Sequence, residues 1–434
     1  MTSISHKIGW NTFVQMVGKM ATTSVGVLIT ILLTRYLGPS GFGSFTFILV
    51  FVTMFGTIAD WGLTLITVRE ASKDQQQASQ IIGNTLVIRL ILSLIAAVIA
   101  TLVIWIFPYE NSLRILVSVA SLSLIAASLK TSFQIIFNVK LRMENTAISD
   151  FCANLLILLI IGIVIQMNLG ISGVVGAYLI GDFFAAGIAG FLAFKYLPIK
   201  FNLSLPSTKF LLLEALPMGA LLVVFTIYNR IDTVILSYYK GQEAVGLYGA
   251  AYRIFEVLVL GAAFFANAVL PLISSLAQTD REKLGLVYRK SFVILTFLGV
   301  GVAITNFFLA PFAISLIGGA KFAGAVLPLQ ILSLALIVSY FNHLNGYTLI
   351  ALGKQWYSFA IAIIALIINV ILNLIFIPRY SYNAAAFITF LTEGLIVVLS
   401  LYLLRKVAKI KFSLTDYPTV IMEFIKKRGK IYDI

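Results

Sequence analysis

The sequence holds one cysteine, Cys152, and two histidines, His6 and His343. One thiol cannot close an intramolecular disulfide, and a cysteine metal cage or a histidine relay cannot be built from so few ligands. No metal and no cofactor is therefore expected. Charge is scarce as well: 11% of the 434 residues are Asp, Glu, Lys or Arg, 60% are hydrophobic, and mean hydropathy is +1.02. A water-facing surface of that size cannot be covered with so few charges, so the chain is expected to be integral to a membrane. The amino-terminal "MTSISHKIGW" does not read as a cleaved signal, because the apolar run after it is long and carries Lys19.

What is present is a succession of apolar runs, each long enough to cross ~30 Å of hydrocarbon. They fall near 11–35, 42–66, 81–107, 113–137, 147–167 and 171–194, then near 211–239, 246–276, 290–317, 323–350, 357–377 and 382–404. The expected fold is all-α and integral to the membrane, with about twelve transmembrane helices in two pseudo-symmetric six-helix lobes. Residues 1–194 would form the first lobe, 195–210 a cytoplasmic linker, 211–404 the second lobe, and 405–434 a basic cytoplasmic tail lying on anionic lipid. No segment between the runs is long enough for a soluble catalytic domain.

The formal net charge of +14 is mostly topological. With both ends inside, the inner segments hold 21 of the 31 basic residues, eight of them in the tail from Arg405 to Lys430. The outer segments hold only Arg35, Arg114, Lys240, Lys321 and Arg379. That asymmetry follows the positive-inside rule and removes nucleic acid as a partner. It also leaves five cations inside the spans: Lys19, Arg89, Lys130, Arg230 and Arg253.

The two halves repeat. Tyr36, Gly38 and Gly43 of "RYLGPSGFGSF" align with Tyr239, Gly241 and Gly246 of "YYKGQEAVGLYG" when one gap is allowed, and "NLGISGVVGAYLIGD" aligns ungapped with "PRYSYNAAAFITFLT". Two halves in the same orientation imply a pseudo-twofold axis along the membrane normal, and transporters commonly place a substrate path between such halves.

Four stretches carry a resemblance to a known family: "LTRYLGPSGFGSF", "DWGLTLITVREASK", "YNRIDTVILSYYKGQEAVGLYGAAYRIFE" and "LIALGKQWYSFAIAIIALIINVILNLIFIPRYSYNAAAFITFLTEG". Their order resembles the polysaccharide-unit (oligosaccharidyl-lipid) flippases of the multidrug/oligosaccharidyl-lipid/polysaccharide exporter superfamily. The family usually shows a Gly-rich turn where this chain has "PRYSYNAAAF". The resemblance implies a plasma-membrane flippase that moves polyprenyl-diphosphate-linked oligosaccharide units outward for surface polysaccharide synthesis. Its partners would be the lipid-linked oligosaccharide, membrane lipids and polysaccharide polymerase machinery; it would not be an enzyme.

Arg230 and Arg253 lie about 10–14 Å below the outer ends of the seventh and eighth spans at 1.5 Å per residue. Asp232 and Glu256 are at neighbouring levels, and Glu256 stands three residues from Arg253, on the same helix face. Two readings stay open: a neutral structural cluster, or a guanidinium shared with the diphosphate, whose oxygens its planar fork suits. In the first half, Lys19 stands on a polar stripe of Asn11, Gln15, Thr22, Gly26 and Thr30, which should face protein or water rather than lipid. Arg89 and Lys130 have Asp60 and Asp150 as acidic neighbours by depth, or could snorkel to the inner interface. Lys19, Arg230 and Arg253 are thus candidate diphosphate ligands, with Gln15, Asp232, Glu256, Arg89 and Lys130 as supporting or ion-pair residues. Asp182 and Glu393, near mid-depth, serve either as hydrogen-bond partners of neighbouring helices or in ion coupling.

Rival functions make different demands. A membrane glycan polymerase or transferase needs a large external domain, and the outer connections are only a few residues long. A drug or small-cation exporter of the same superfamily would show acidic rather than basic intramembrane residues. A lipid II flippase usually has two further helices after the twelfth, whereas "RKVAKIKFSLTDYPTVIMEFIKKRGKIYDI" is too polar to span.

Overall fold

The computed structural model describes residues 4–198 and 205–408, with side chains from 14–198 and 206–408. The tail from 409, residues 199–204 of the expected linker, and the side chain of Asn11 lie outside the described residues. Among the described residues all regular structure is helical. In chain order the helices are α1 (Ile4–Asp60), α2 (Leu63–Lys73), α3 (Ala78–Ile106), α4 (Asn111–Ala120), α5 (Ser123–Val139), α6 (Glu144–Gln166), α7 (Gly170–Phe194), α8 (Leu205–Thr279) and α9 (Arg281–Gly318). A short 3-10 turn, Ala320–Ala325, leads into α10 (Val326–Ala351), and α11 (Gln355–Ala408) follows.

Nine helical stretches among the described residues are long and apolar enough to cross a membrane. Three of them, Val14–Lys73, Pro206–Thr279 and Gln355–Ala408, run to 60, 74 and 54 residues. One crossing takes ~20 residues, so each of these three carries more than one. Each is interrupted by a non-helical residue: Gly38, Gly241 and Ser381 respectively. The expected total of twelve rests on counting each of the three as two crossings.

The breaks carry the internal repeat into the backbone. Gly38 has φ 67° and ψ −178°, and Gly241 has φ 76° and ψ −176°. The glycines that align between the halves thus adopt the same conformation, one that only glycine enters without strain. Pro39 then takes the first position of the next helical segment, where its fixed φ suits the turn and its missing N–H is not needed. Ser381 sits at φ 55° and ψ −141° without that freedom.

The chain forms two compact units, Met1–Ser237 and Tyr238–Ile434. These compact units and the expected lobes of the repeat, 1–194 and 211–404, are different divisions of the chain, and packing explains where the units divide. Leu211 and Ala215, at the start of α8, are buried with Leu63, Ile66 and Ile88 of α2 and α3. In the first unit α7 lies along its neighbours through small residues: a Cβ on Gly181 would come within 2.2 Å of Ile157 of α6. Such close approach is how helices associate in lipid, where apolar burial alone gives little. In the second unit, Tyr288, Tyr340, Leu344 and Leu404 belong to one core shared by α9, α10 and α11. Large apolar side chains such as Ile106, Phe191 and Phe308 are exposed, as befits a surface that lipid covers.

Candidate functional site

The charged residues inside the spans define the candidate site, and each unit is built separately. In the first unit Arg89 of α3 is 1% exposed. Its guanidinium donates to the Asp60 carboxylate at the end of α1 and to the Thr64 and Thr131 hydroxyls. Thr64 also donates to Asp60, at 2.7 Å. Arg89 does not snorkel. A carboxylate and two hydroxyls lie within reach at its own depth, so the charge is satisfied inside the protein. Lys130 of α5 likewise turns inward: its Nζ lies 3.2 Å from Asp150 of α6, which also accepts from Gln134 at 3.4 Å.

Lys19 differs from both. It is exposed on α1 beside exposed Gln15, and no carboxylate among the described residues lies within ion-pair distance. Further along the stripe, Thr22 and Thr30 donate to the carbonyls of Gly18 and Gly26, at 2.7 and 2.8 Å. Such back-bonding satisfies a hydroxyl within its own helix, so among the described residues of the stripe the Lys19 ammonium and the Gln15 amide are the groups open to other partners.

Arg230 and Asp232 stand two apart on α8, a spacing that points side chains to different sides of a helix. Asp232 is 4% exposed and accepts from the backbone N–H of Thr233 at 2.6 Å, whereas Arg230 is half-buried. Asp182 of α7 lines a cavity of about 20 Å³ with Ser123 and Tyr178 among apolar walls that include Phe45 and Ile48. That volume holds about one water.

In the second unit Arg253 reaches Glu256 at 3.4 Å, three residues along the same helix, and both are partly open. Glu393 of α11 accepts from Asn342 at 2.6 Å and from Ser339 at 3.1 Å, both on α10. The His343 ring nitrogen Nδ1 is 2.9 Å from the Ser339 carbonyl, one turn back on its own helix.

Two buried polar groups complete this unit: Asn345, which belongs to the polar patch of Asn342, His343 and Asn345 visible in the sequence, and the pair Asn369 and Asn373, which sequence reasoning passed over. Asn345 links Tyr288, which donates to it at 2.6 Å, to Ser400 at 2.8 Å. Asn373 donates to Asn369 at 2.8 Å, and Asn369 to Thr392 at 3.3 Å. The asparagine spacing in "INVILNLIF" was the available signal: 369 and 373 are one turn apart in an otherwise apolar run. The break at Trp61 and Gly62, beside Asp60, was also passed over.

Residues 8–277 match the family model described as polysaccharide biosynthesis protein, and residues 217–375 match the MatE model. "Probable flippase AglR" of Haloferax volcanii is 28% identical over 182 residues, 41% of this chain and 38% of that protein. "Capsular polysaccharide biosynthesis protein CapF" of Staphylococcus aureus is 26% identical over 219 residues, 49% of this chain and 54% of that protein. The chain therefore matches about half or less of the length of these curated relatives. Among solved structures, the lipid II flippase MurJ in an inward closed conformation is similar, with TM-score 0.77 and 18% identity over 96% of this chain and 93% of that one. An inward-facing multidrug resistance MATE family transporter of the MOP superfamily has TM-score 0.71 and 15% identity over 96% and 99%. At those identities the likeness is one of fold.

Proposed function

We propose, from the premise that this chain belongs to the polysaccharide biosynthesis protein family, that it is a flippase for lipid-linked oligosaccharide. Its cargo would be a polyprenyl-diphosphate-linked oligosaccharide unit, carried from the inner to the outer leaflet of the plasma membrane. Both termini face the cytoplasm in this reading, as the basic inner segments require. The halves 1–194 and 211–404 act as the two lobes of the carrier. A polysaccharide polymerase receives the unit on the outer side.

The observation that carries the reading is Lys19. Arg89, Lys130 and Arg253 each face a carboxylate, at Asp60, Asp150 and Glu256. Lys19 is exposed with no ion pair among the described residues, on a polar stripe of a helix that crosses hydrocarbon. An uncompensated cation at depth is expensive and marks a path for substrate. A diphosphate carries the opposite charge and needs such a path. Arg230 and Arg253 serve as later stations; their planar guanidinium groups keep their charge when desolvated and grip phosphate oxygens in pairs. A carrier for cations would place carboxylates in these positions.

The test is a strain lacking the gene. Lipid-linked oligosaccharide should accumulate there with its sugars on the cytoplasmic side, and restoring the gene should clear it. Normal outward display of the glycan without the gene would end the proposal.

A further inference from the structure

Two helix ends in the first unit are packed into a single patch. The span through α5 ends at Val139 and the next begins at Glu144, while the span of α7 ends at Phe194. Residues 140–143 and 195–196 therefore lie where the chain leaves the hydrocarbon. Phe137 and Ala193, near the two ends, belong to one buried cluster, and Met143 and Tyr196 pack against it. Beyond Tyr196 the chain is held on α3, where the Ser79 hydroxyl donates to the Pro198 carbonyl. The Tyr196 ring meets Phe137 edge-on at 6.3 Å. It also carries the Arg142 guanidinium, 5.8 Å from its centroid.

A strained turn delivers Arg142. Its N–H closes on the Phe137 carbonyl at 2.8 Å and the Leu141 N–H on that of Asn138 at 3.2 Å, the paired bonds that end a helix through a left-handed residue. Glycine usually takes that position; here it is Leu141, at φ 54°. The leucine is also 44% exposed. A strained backbone beneath a half-open apolar side chain gains little from packing, but at the edge of the hydrocarbon that side chain gains from lipid. Lys140 and Lys195 cap α5 and α7, where a cation suits the helix dipole. That accounts for those two and not for Arg142, which stands beyond the helix with its side chain 55% exposed. Among the described residues it makes one side-chain hydrogen bond, to Glu144 at 3.3 Å. Arg114, over Trp105 at 5.4 Å, instead directs donors to Asn111 and the Phe107 carbonyl.

We propose that Arg142, Lys140, Lys195 and Tyr196 form a binding site for the phosphate headgroup of an anionic phospholipid, with Leu141 set among its acyl chains. Tyr196 holds the guanidinium in place. The planar fork takes phosphate oxygens in pairs, and the two lysines add charge at the membrane surface. Glu144 competes for the same guanidinium. In the orientation given above the lipid belongs to the cytoplasmic leaflet, and the site itself does not rest on the flippase reading.

The purified full chain is equilibrated in detergent with equal amounts of phosphatidylglycerol and phosphatidylcholine, and the lipid it retains is read by native mass spectrometry. The unaltered chain should retain phosphatidylglycerol in preference. Arg142→Gln should lower that preference about tenfold, the scale of one charge-assisted phosphate contact, and Tyr196→Leu should lower it too. Lys283→Gln, which removes an exposed cation of α9, should leave it unchanged. Glu144→Gln should raise it by releasing the guanidinium, a gain that misfolding cannot produce. Leu141→Gly should raise the thermal midpoint in detergent while lowering retention, a split that a merely structural turn would not show. Equal retention of the two lipids, a loss in Lys283→Gln as large as in Arg142→Gln, unchanged retention in Leu141→Gly, or a Glu144→Gln variant that binds no better would each overturn the site. Glycerol phosphate in large excess should not displace the lipid; displacement would assign the site to a soluble phosphate ester and overturn the lipid reading.

Discussion

Arg89 and Asp60 set the scale of what one charge does inside this chain. Asp60→Asn leaves a guanidinium that is 1% exposed without its carboxylate, and losing one partner of a buried pair costs about 3–5 kcal/mol. Folded protein recovered in detergent should fall steeply. Asp60→Asn with Arg89→Gln should recover most of the loss, because the pair acts as one unit. Lys19 should behave in the opposite way. Lys19→Gln removes a charge with no ion pair among the described residues, so abundance should hold while export drops about tenfold, the effect of ~1.4 kcal/mol on the substrate. Lys19→Arg should be tolerated. At Arg230 the geometry calls for membrane abundance and export to be measured together in Arg230→Gln, Asp232→Asn and the double variant. Export lost at normal abundance identifies a substrate ligand. Export that recovers in the double variant identifies a structural role. Depth along the span placed Asp60 and Asp150 near the level of Arg89 and Lys130, yet snorkelling to the inner interface is the favoured sequence reading for both cations. Depth could not say which way a long side chain bends, because that depends on the hydroxyls of other helices, Thr64 and Thr131 among them.

Among the helices, the breaks are where sequence and structure meet most directly. The aligned glycines 38 and 241 have matching backbones because neither position tolerates a Cβ in that conformation. The third break has Ser381 instead, and a non-glycine residue held there costs of order 1–3 kcal/mol. Ser381→Gly should therefore stabilise the protein by about 1 kcal/mol after the entropy of the glycine is set against the relief. Thermal unfolding in detergent should move upward; an unchanged or lower midpoint would mean that the serine is not strained. The departure "PRYSYNAAAF" was visible in the sequence as a missing glycine, but the strain it implies required the backbone angles. The break in the second span was not legible. Hydropathy dips at Asp60–Gly62 in "IADWGLTLIT", but one carboxylate, a tryptophan and a single glycine in an otherwise apolar run do not announce a turn.

On the scale of the whole molecule, composition and the length of the apolar runs carried most of the fold. Scarce charge and runs of spanning length are consequences of the bilayer, and they survive ignorance of every contact. The division into compact units is a separate matter. Sequence symmetry assigns the seventh span to the second half, while packing at Leu211, Ala215 and Ser207 ties it to α2 and α3. A repeat records ancestry and topology, whereas a compact unit records which faces are buried in one conformation. Orientation is checked with Lys240→Cys in the Cys152→Ser background: it should react with an impermeant reagent added outside intact cells, and reaction only from the inside would reverse the topology.

The central claim is translocation, and it is tested most directly with the purified chain in liposomes. A polyprenyl-diphosphate oligosaccharide is placed in both leaflets, and a glycosidase or lectin is added outside. Vesicles containing the protein should expose the inner-leaflet pool to the outside reagent, and those containing Lys19→Gln should do so far more slowly. If that pool stays protected at the same rate as in protein-free vesicles, under any ion gradient imposed, the chain is not a flippase for this lipid.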